Sequence, residues 1–333
     1  MNRPPLISVV VPARDEAAVL PEFHRRLSAV LSGMPCRAEV VYVDDGSADG
    51  TWEIVENLAA RDVRVRAVRL SRSFGHQAAL SAGIDRARGD AVVTIDADLQ
   101  DPPELIPQLF AKWHEGFAVV HARRTRRLGE GRAKRAASFL FHRLLRLVAD
   151  VPVRVDVADF RLLDRSACDV LRRMPERHRY LRGMAVWTGS SQSEVPYERQ
   201  PRLAGRTKYR LRSMICLGLD AVTAFSRVPL AIAAWLGAAV VPLSVVLLVV
   251  AVAKAAAGRA AKWVVPVALL ALLDGIVLLL LGVLGAYVAR IGDEARARPV
   301  YVVREETGGG AKRRAVRRRR GASGGSARSA RRT

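Results

Sequence analysis

A chain of 333 residues that is 50% hydrophobic and 26% charged can bury a large core and still carry a second module, which excludes a disordered polymer. Its 3 cysteines, Cys36, Cys168 and Cys216, lie far apart and in no metal-ligand spacing. They exclude a disulfide scaffold or zinc module and fit a reducing cytosol. The formal charge of +22 suits an anionic partner, whether nucleic acid, membrane surface or phosphorylated substrate.

No leader peptide is expected, because residues 1–5 run straight into an apolar strand over 6–11. Pro12 ends it. Ala13, Arg14, Asp15 and Glu16 form a loop before an amphipathic helix reaching about Leu31. A second strand over 39–43 ends in Asp44-Asp45-Gly46-Ser47-Ala48-Asp49-Gly50-Thr51, where Asp49 suits the cap of the next helix. Residues 65–70 predict a third strand, and Phe74-Gly75-His76-Gln77 opens a helix to about Arg88. The apolar run 91–95 predicts a buried fourth strand and 117–121 a fifth. Strands alternating with helices predict an α/β fold with a parallel sheet and ligands outside the carboxyl ends of its strands.

The fourth strand leads into Asp96-Ala97-Asp98-Leu99-Gln100-Asp101-Pro102-Pro103-Glu104. Two residues apart on a strand means one face, so Asp96 and Asp98 are expected side by side. Like charges that close favour a cation between them. A hard ion, Mg²⁺ or Mn²⁺, takes such oxygens and shares them with substrate phosphates. Gln100 offers a further oxygen at the next same-face position. A solvated strand-end turn is the plain alternative.

The string DADLQDPPE resembles the metal-binding segment of glycosyltransferase family 2, most closely in dolichol-phosphate mannose synthases and their bacterial polyprenyl-phosphate relatives. VPARDEA, VDDGSADGT and SFGHQAALSAG resemble, in order and spacing, the nucleotide-sugar half of that family. The resemblance implies a GT-A-type, Rossmann-like domain with a mostly parallel sheet, followed by a two-helix transmembrane hairpin. It implies that Pro12, Arg14, Glu16 and Asp44 or Asp45 hold the nucleoside; a carboxylate suits the imide N–H of uracil or the N1–H of guanine. Asp96, Asp98 and Gln100 would hold the ion against the donor diphosphate. Ala13-Arg14 stands where the family has aromatic-Asn, and Ser73 where it has Asn, so the donor's identity stays open.

Arg123, after the fifth strand, takes the place of a family arginine and is expected to clamp the diphosphate. Residues 126–150 interleave cations with apolar side chains, as on a membrane-surface helix or a core helix with a basic edge; Lys134 and Ser138 are the nearest equivalents of lipid-phosphate contacts. Val157-Ala158-Asp159-Phe160-Arg161 resembles a segment whose Asp lies beside the reacting centre. Asp159 would orient the acceptor or act as a modest general base; a salt bridge to Arg161 or another arginine is the alternative. Arg202-Leu203-Ala204-Gly205-Arg206-Thr207-Lys208-Tyr209 resembles a basic lid, with Arg202 and Lys208 on phosphate or simply a solvated loop.

Residues 228–253 carry no charge and 263–289 only Asp274. Each reaches the roughly 20 residues needed to cross the hydrocarbon. With 14 Arg or Lys against 4 acids from Arg290 onward, the flanks belong in the cytoplasm. The expected organisation is a cytoplasmic domain over 1–209, a juxtamembrane amphipathic helix over 210–227, the hairpin over 228–289, and a basic, largely disordered tail over 290–333. That makes a multi-pass protein of the cell (inner) membrane with both termini cytoplasmic, and such hairpins allow a homo-oligomer. Nucleic acid is disfavoured, since the tail lacks interleaved aromatics. The expected function is metal-dependent, inverting transfer of a hexose from a UDP- or GDP-sugar to polyprenyl phosphate. The alternatives are a non-catalytic membrane adaptor, or a processive polysaccharide synthase, which would carry Gln-x-x-Arg-Trp; no Arg-Trp occurs.

Overall fold

The computed structural model describes residues 3–126, 157–177, 179–198 and 264–308, with scattered helical positions between 235 and 253. The apolar run at the start becomes β1 (Leu6–Ala13), buried from its second residue on, as a central strand covered on both faces must be. It is followed by α1 (Leu20–Ser32), β2 (Arg37–Asp44), α2 (Thr51–Arg61), β3 (Val65–Leu70), α3 (His76–Arg86) and β4 (Ala91–Thr94). α1 buries Leu20, Phe23, Leu27 and Leu31, the spacing of one helical face. α2 begins after Gly50, and Asp49 accepts the N–H of Thr51 at 3.1 Å.

The second half holds α4 (Ile106–His114), β5 (Val119–Arg126), β6 (Val157–Asp164), α5 (Arg165–Arg173), α6 (Leu181–Trp187), β7 (Gln192–Glu198), α7 (Val264–Ala295) and β8 (Val303–Gly308). The strands form one sheet in the order β7-β5-β6-β4-β1-β2-β3-β8. β4, β1, β2 and β3 run parallel, as do β5 and β7, whereas β6 is antiparallel to both β4 and β5 and β8 to β3. The sheet is therefore mostly parallel, with apolar layers on both faces. The fifth strand does not sit beside the fourth: β6 is inserted between them. α3 lies tight on the sheet centre, where a Cβ on Gly83 would come within 2.1 Å of Val10 Cγ1; only glycine permits that approach.

Two expectations about the C-terminal part change. α7 runs on to Ala295, past the expected span end at 289, and β8 joins the sheet as its edge strand, so the segment assigned to the tail begins inside the domain. Its charges are matched: Glu306 meets Arg66 at 2.6 Å and Arg86 at 3.2 Å, and Glu305 meets Arg69 at 3.3 Å. Within α7, Leu273–Ala295 is long and apolar enough to cross a membrane, with a mean hydropathy of 2.0, and most of its described side chains are exposed or half-buried. Asp274 is exposed on it. The other expected span, 228–253, and the helix expected over 210–227 lie outside the described residues, apart from the scattered helical positions.

Candidate active site

After β3 the chain crosses back over β1 to form β4, so β1 and β4 are neighbours whose connections leave in opposite directions. This switch point, beyond the strands' carboxyl ends, is where the crevice that takes the ligand usually lies in such sheets. Loops 14–19, 45–50, 71–75 and 95–102 meet at this edge. The close contact at Gly83 aims the start of α3, and with it His76, into the crevice.

β4 stops at Thr94, so Asp96 and Asp98 stand on a turn and not on a strand face. Leu99 shapes that turn, with its side chain buried and φ at 59°, a strained conformation for a non-glycine residue. Gln100 follows the turn, and its N–H donates to Asp98 Oδ1 at 3.1 Å; the same-face argument for its side-chain oxygen does not apply. Asp101 is buried, bonded by the Tyr197 hydroxyl and lying 3.4 Å from Arg124 Nη2.

Continuing the β4–β6 register, in which Thr94 pairs with Arg161, brings Asp159 across from Asp96. His76 bridges them, its Nε2 3.6 Å from Asp96 and 3.3 Å from Asp159. Asp159 is also held by Arg161 at 3.0 Å, by Arg182 Nε and Nη2 at 3.0 and 2.8 Å, and by Gln77 at 3.3 Å. Burial opposes its charge, yet Arg182, His76 and Arg161 hold the carboxyl well below the usual carboxylate range. Burial also opposes the charge on His76, but Asp96 and Asp159 raise it to about 9, so the ring is an imidazolium at neutral pH. Asp96 goes the other way: burial, with Asp101, Asp159 and Asp98 nearby, raises it to about 6 against the pull of His76. Motif reading passed over His76 and Arg182. A titratable residue opening a helix after a glycine, His76 behind Gly75, is the signal that could have found the first.

Asp96 Oδ1 is buried without a hydrogen-bond partner, its ion-pair contact being His76 Nε2 at 3.6 Å, so it keeps capacity to accept a further ligand. Among the described residues no three His, Cys, Asp or Glu side chains are grouped to hold a metal unaided. Two adjacent carboxylates fit a hard ion that draws its other ligands from substrate phosphates and water.

The second group lies on the β2 side of β1. Asp45, buried, accepts the Ser73 hydroxyl at 2.9 Å and the N–H groups of Phe74 and Gly75 at 2.7 and 3.0 Å, so it is spent on shaping the loop before α3. Gly46 makes that packing fit, with φ at +72° and room for no Cβ beside Ser73. Asp44 is fully buried: Ser47 N–H donates to Oδ1 at 3.0 Å, and Oδ2 lies 3.4 Å from Arg69 without a hydrogen bond. Burial raises its pKa. Arg14 reaches Ser73 at 2.6 Å, the Glu16 N–H donates to Thr51 at 2.9 Å, and Pro12 is buried in β1.

Arg123 points elsewhere. A register shift in β5 after His121 turns it to Glu194 at 3.1 Å, and Arg124 is the neighbour that reaches the carboxylate loop, through Asp101 and Tyr197. Lys134, Ser138, Arg202 and Lys208 lie outside the described residues.

Residues 8–172 match the Glycosyl transferase family 2 profile. The glycosyltransferase YkcC of Bacillus subtilis (strain 168) is 41% identical over 310 residues, covering 92% of this chain and 96% of that protein. A bactoprenol glucosyl transferase of Shigella phage SfV is 34% identical over 306 residues, covering 90% and 98%. Among solved structures, glucosyl-3-phosphoglycerate synthase from Mycobacterium tuberculosis, in complex with Mn²⁺, UDP and phosphoglyceric acid, superposes with a TM-score of 0.47 at 22% identity, over 66% of this chain and 76% of that one, too loosely to argue from.

Proposed function

The chain belongs to glycosyltransferase family 2, and from that premise we propose that it transfers a hexose from a nucleotide sugar to a polyprenyl phosphate at a membrane surface. The observation that carries the reading is the buried Asp96 oxygen without a hydrogen-bond partner, close to Asp98, in a domain that continues into a helix of membrane-crossing length. The name of the phage relative supports the polyprenyl acceptor, and makes glucose the first sugar to try. The hairpin, its cytoplasmic flanks and a homo-oligomer belong to the same proposal.

In this reading a phosphate oxygen of the acceptor attacks the anomeric carbon as the bond from that carbon to the donor diphosphate breaks, and the nucleoside diphosphate leaves with the electron pair. Asp96 and Asp98 would hold Mg²⁺ or Mn²⁺, which when bound neutralises charge growing on the diphosphate. His76, between Asp96 and Asp159, would donate a ring N–H to a diphosphate oxygen. Of the two candidate nucleobase acceptors, Asp44 has one oxygen without a hydrogen bond, ion-paired with Arg69 at 3.4 Å, whereas Asp45 is committed to residues 73–75. Asp159 is held ionised and gripped on both oxygens, which makes it a weak base. The acceptor phosphate is itself largely ionised near neutrality, so a base is not required. Asp159 instead fixes Arg182, whose side chain is 40% exposed and can meet a phosphate.

The test is transfer of radiolabelled sugar into a lipid extract by the full chain in lipid, with UDP-glucose, UDP-N-acetylglucosamine and GDP-mannose, each with Mg²⁺ or Mn²⁺ and with chelator. Metal-dependent labelling from one donor is expected. No labelling from any of them, with donor binding demonstrated, overturns the reading.

A further inference from the structure

The cytoplasmic end of α7 is spent on one residue of the catalytic domain. Beyond the apolar stretch, both carboxylate oxygens of Glu294 accept the backbone N–H of Arg177, at 3.0 and 3.1 Å. The Arg177 guanidinium donates back to the carbonyl of Asp293 at 2.8 Å. Arg177 lies in the segment between α5 and α6, and α6 opens at Leu181. There the Leu181 N–H donates to Gln77 at 3.1 Å, and its carbonyl accepts from Arg161 at 3.2 Å. Gln77 and Arg161 both also hold Asp159, and the next residue, Arg182, grips it twice. Two sets of polar contacts, one at Arg177 and one at Leu181 and Arg182 a few residues on in the chain, therefore lie between the end of the apolar helix and the carboxylate beside His76. The other side of the helix end is fixed as well. The Tyr301 hydroxyl donates to Asp85 at 2.7 Å, the Ser71 N–H donates to the Val302 carbonyl at 2.8 Å, and β8 then pairs with β3.

We propose that Glu294 is a positioning residue for transfer to the lipid acceptor: it fixes the segment before α6, and through it the angle at which Arg182 meets the acceptor phosphate. The inference rests on the functional reading above and adds that Glu294 bears on the acceptor side of the site, through Arg177 and α6, while the chain after the helix reaches the 71–75 loop of the donor side separately, through Val302 and Ser71. Coupling of this kind needs an element whose placement both ends bias; here that element is α6 with residues 174–177 before it.

The experiment compares the full chain in lipid with its Glu294→Ala and Glu294→Gln variants. Three quantities are read: the kcat and acceptor KM of transfer, the Kd for nucleotide sugar with Mn²⁺, and amide hydrogen exchange across residues 174–187. Glu294→Ala is expected to lower kcat/KM for the acceptor about tenfold and to speed exchange at Arg177 and Leu181, with donor Kd changed by less than about twofold. Glu294→Gln keeps an oxygen for the Arg177 N–H and is expected to recover most of both effects. Wild-type acceptor kinetics and exchange in Glu294→Ala overturn the proposal. So does a donor Kd that weakens in step with transfer, which would mark general destabilisation. If the unmodified protein transfers no sugar, the functional reading fails on its own, while the exchange comparison still decides whether Glu294 holds this segment.

Discussion

Asp159→Asn separates a counter-ion from a catalytic base. Asp159 is 6% exposed and Arg161 2%, so the pair is out of water, with Arg182 and His76 closing over it. An asparagine of the same shape leaves Arg161 buried with no opposite charge. Removing one partner of a buried pair costs about 3–5 kcal/mol, against a total stability of roughly 5–15 kcal/mol. At about 2–4 °C per kcal/mol for a domain of this size, the melting temperature should fall by roughly 6–20 °C. The assay is a tryptophan-fluorescence melt of the full chain in detergent, with transfer measured well below the new midpoint. Arg182→Gln is the comparison: its side chain is 40% exposed and leaves the Asp159–Arg161 pair intact, so its melt should move little, by about 1 kcal/mol or less, while acceptor KM rises. The double variant Asp159→Asn/Arg161→Met should regain much of the lost stability, because the stranded charge is gone. An Asp159→Asn protein that melts within about 2 °C of wild type yet transfers no sugar would refute the reasoning and return Asp159 to the chemistry.

Asp96→Asn and Asp98→Asn should each abolish the tightening of nucleotide-sugar binding by Mn²⁺, read by titration calorimetry, and lower transfer by about 100-fold or more; unchanged Mn²⁺ dependence in both would remove the metal site. With the Asp96 carboxyl raised to about 6 by burial and by Asp101, Asp159 and Asp98, protons compete with the ion below that pH. Mn²⁺ affinity should fall about tenfold per pH unit below 6 and level off above it, and a profile flat from pH 5 to 7 would contradict this. Glu306→Gln takes the charge from Arg66, whose side chain is 7% exposed, and should lower stability by about 2–4 kcal/mol, seen as an earlier melt with donor affinity retained.

The first half of the domain was legible because each strand is an apolar run and each loop a polar string. Sequence reading fails where burial is achieved by charge pairing. β6, Val-Ala-Asp-Phe-Arg-Leu-Leu-Asp, hides two charges that cancel each other inside the sheet; they read as a polar segment until β4 and β5 are placed on either side. β8 has one apolar residue, and what makes it a strand is the row of arginines on β3 and α3 that Glu305 and Glu306 neutralise, a long-range match with no local pattern. The reason given for the acidic pair does not hold: alternation on a strand ends at Thr94, and Asp96 and Asp98 stand on the turn that Leu99 shapes. Arg123 and Arg124 are adjacent in sequence, so only the register shift in β5 could tell which one faces the carboxylate loop.

The excess of arginine was read as attraction for an anionic partner, yet many of these side chains are engaged within the domain. Arg66, Arg165 and Arg172 donate to the last carbonyls of α3 and the residue after it, where a helix end favours cations, and Arg161 and Arg182 are committed to Asp159. What brings the site to lipid is better argued from α7. Taking its apolar stretch to end at 289, the helix rises about 1.5 Å per residue, which puts Glu294 roughly 8 Å beyond the hydrocarbon edge. The headgroup layer is itself about 5–8 Å deep on each side. Arg177 docks on that residue, and Arg182 follows within a few residues of chain. In the proposed reading, this placement would let the acceptor's phosphate reach the Asp159–Arg182 group while its polyprenyl chain stays in the bilayer, with the donor entering from water at the ends of β1, β2 and β4. On this geometry the membrane helix contributes proximity, and the crevice contributes the chemistry.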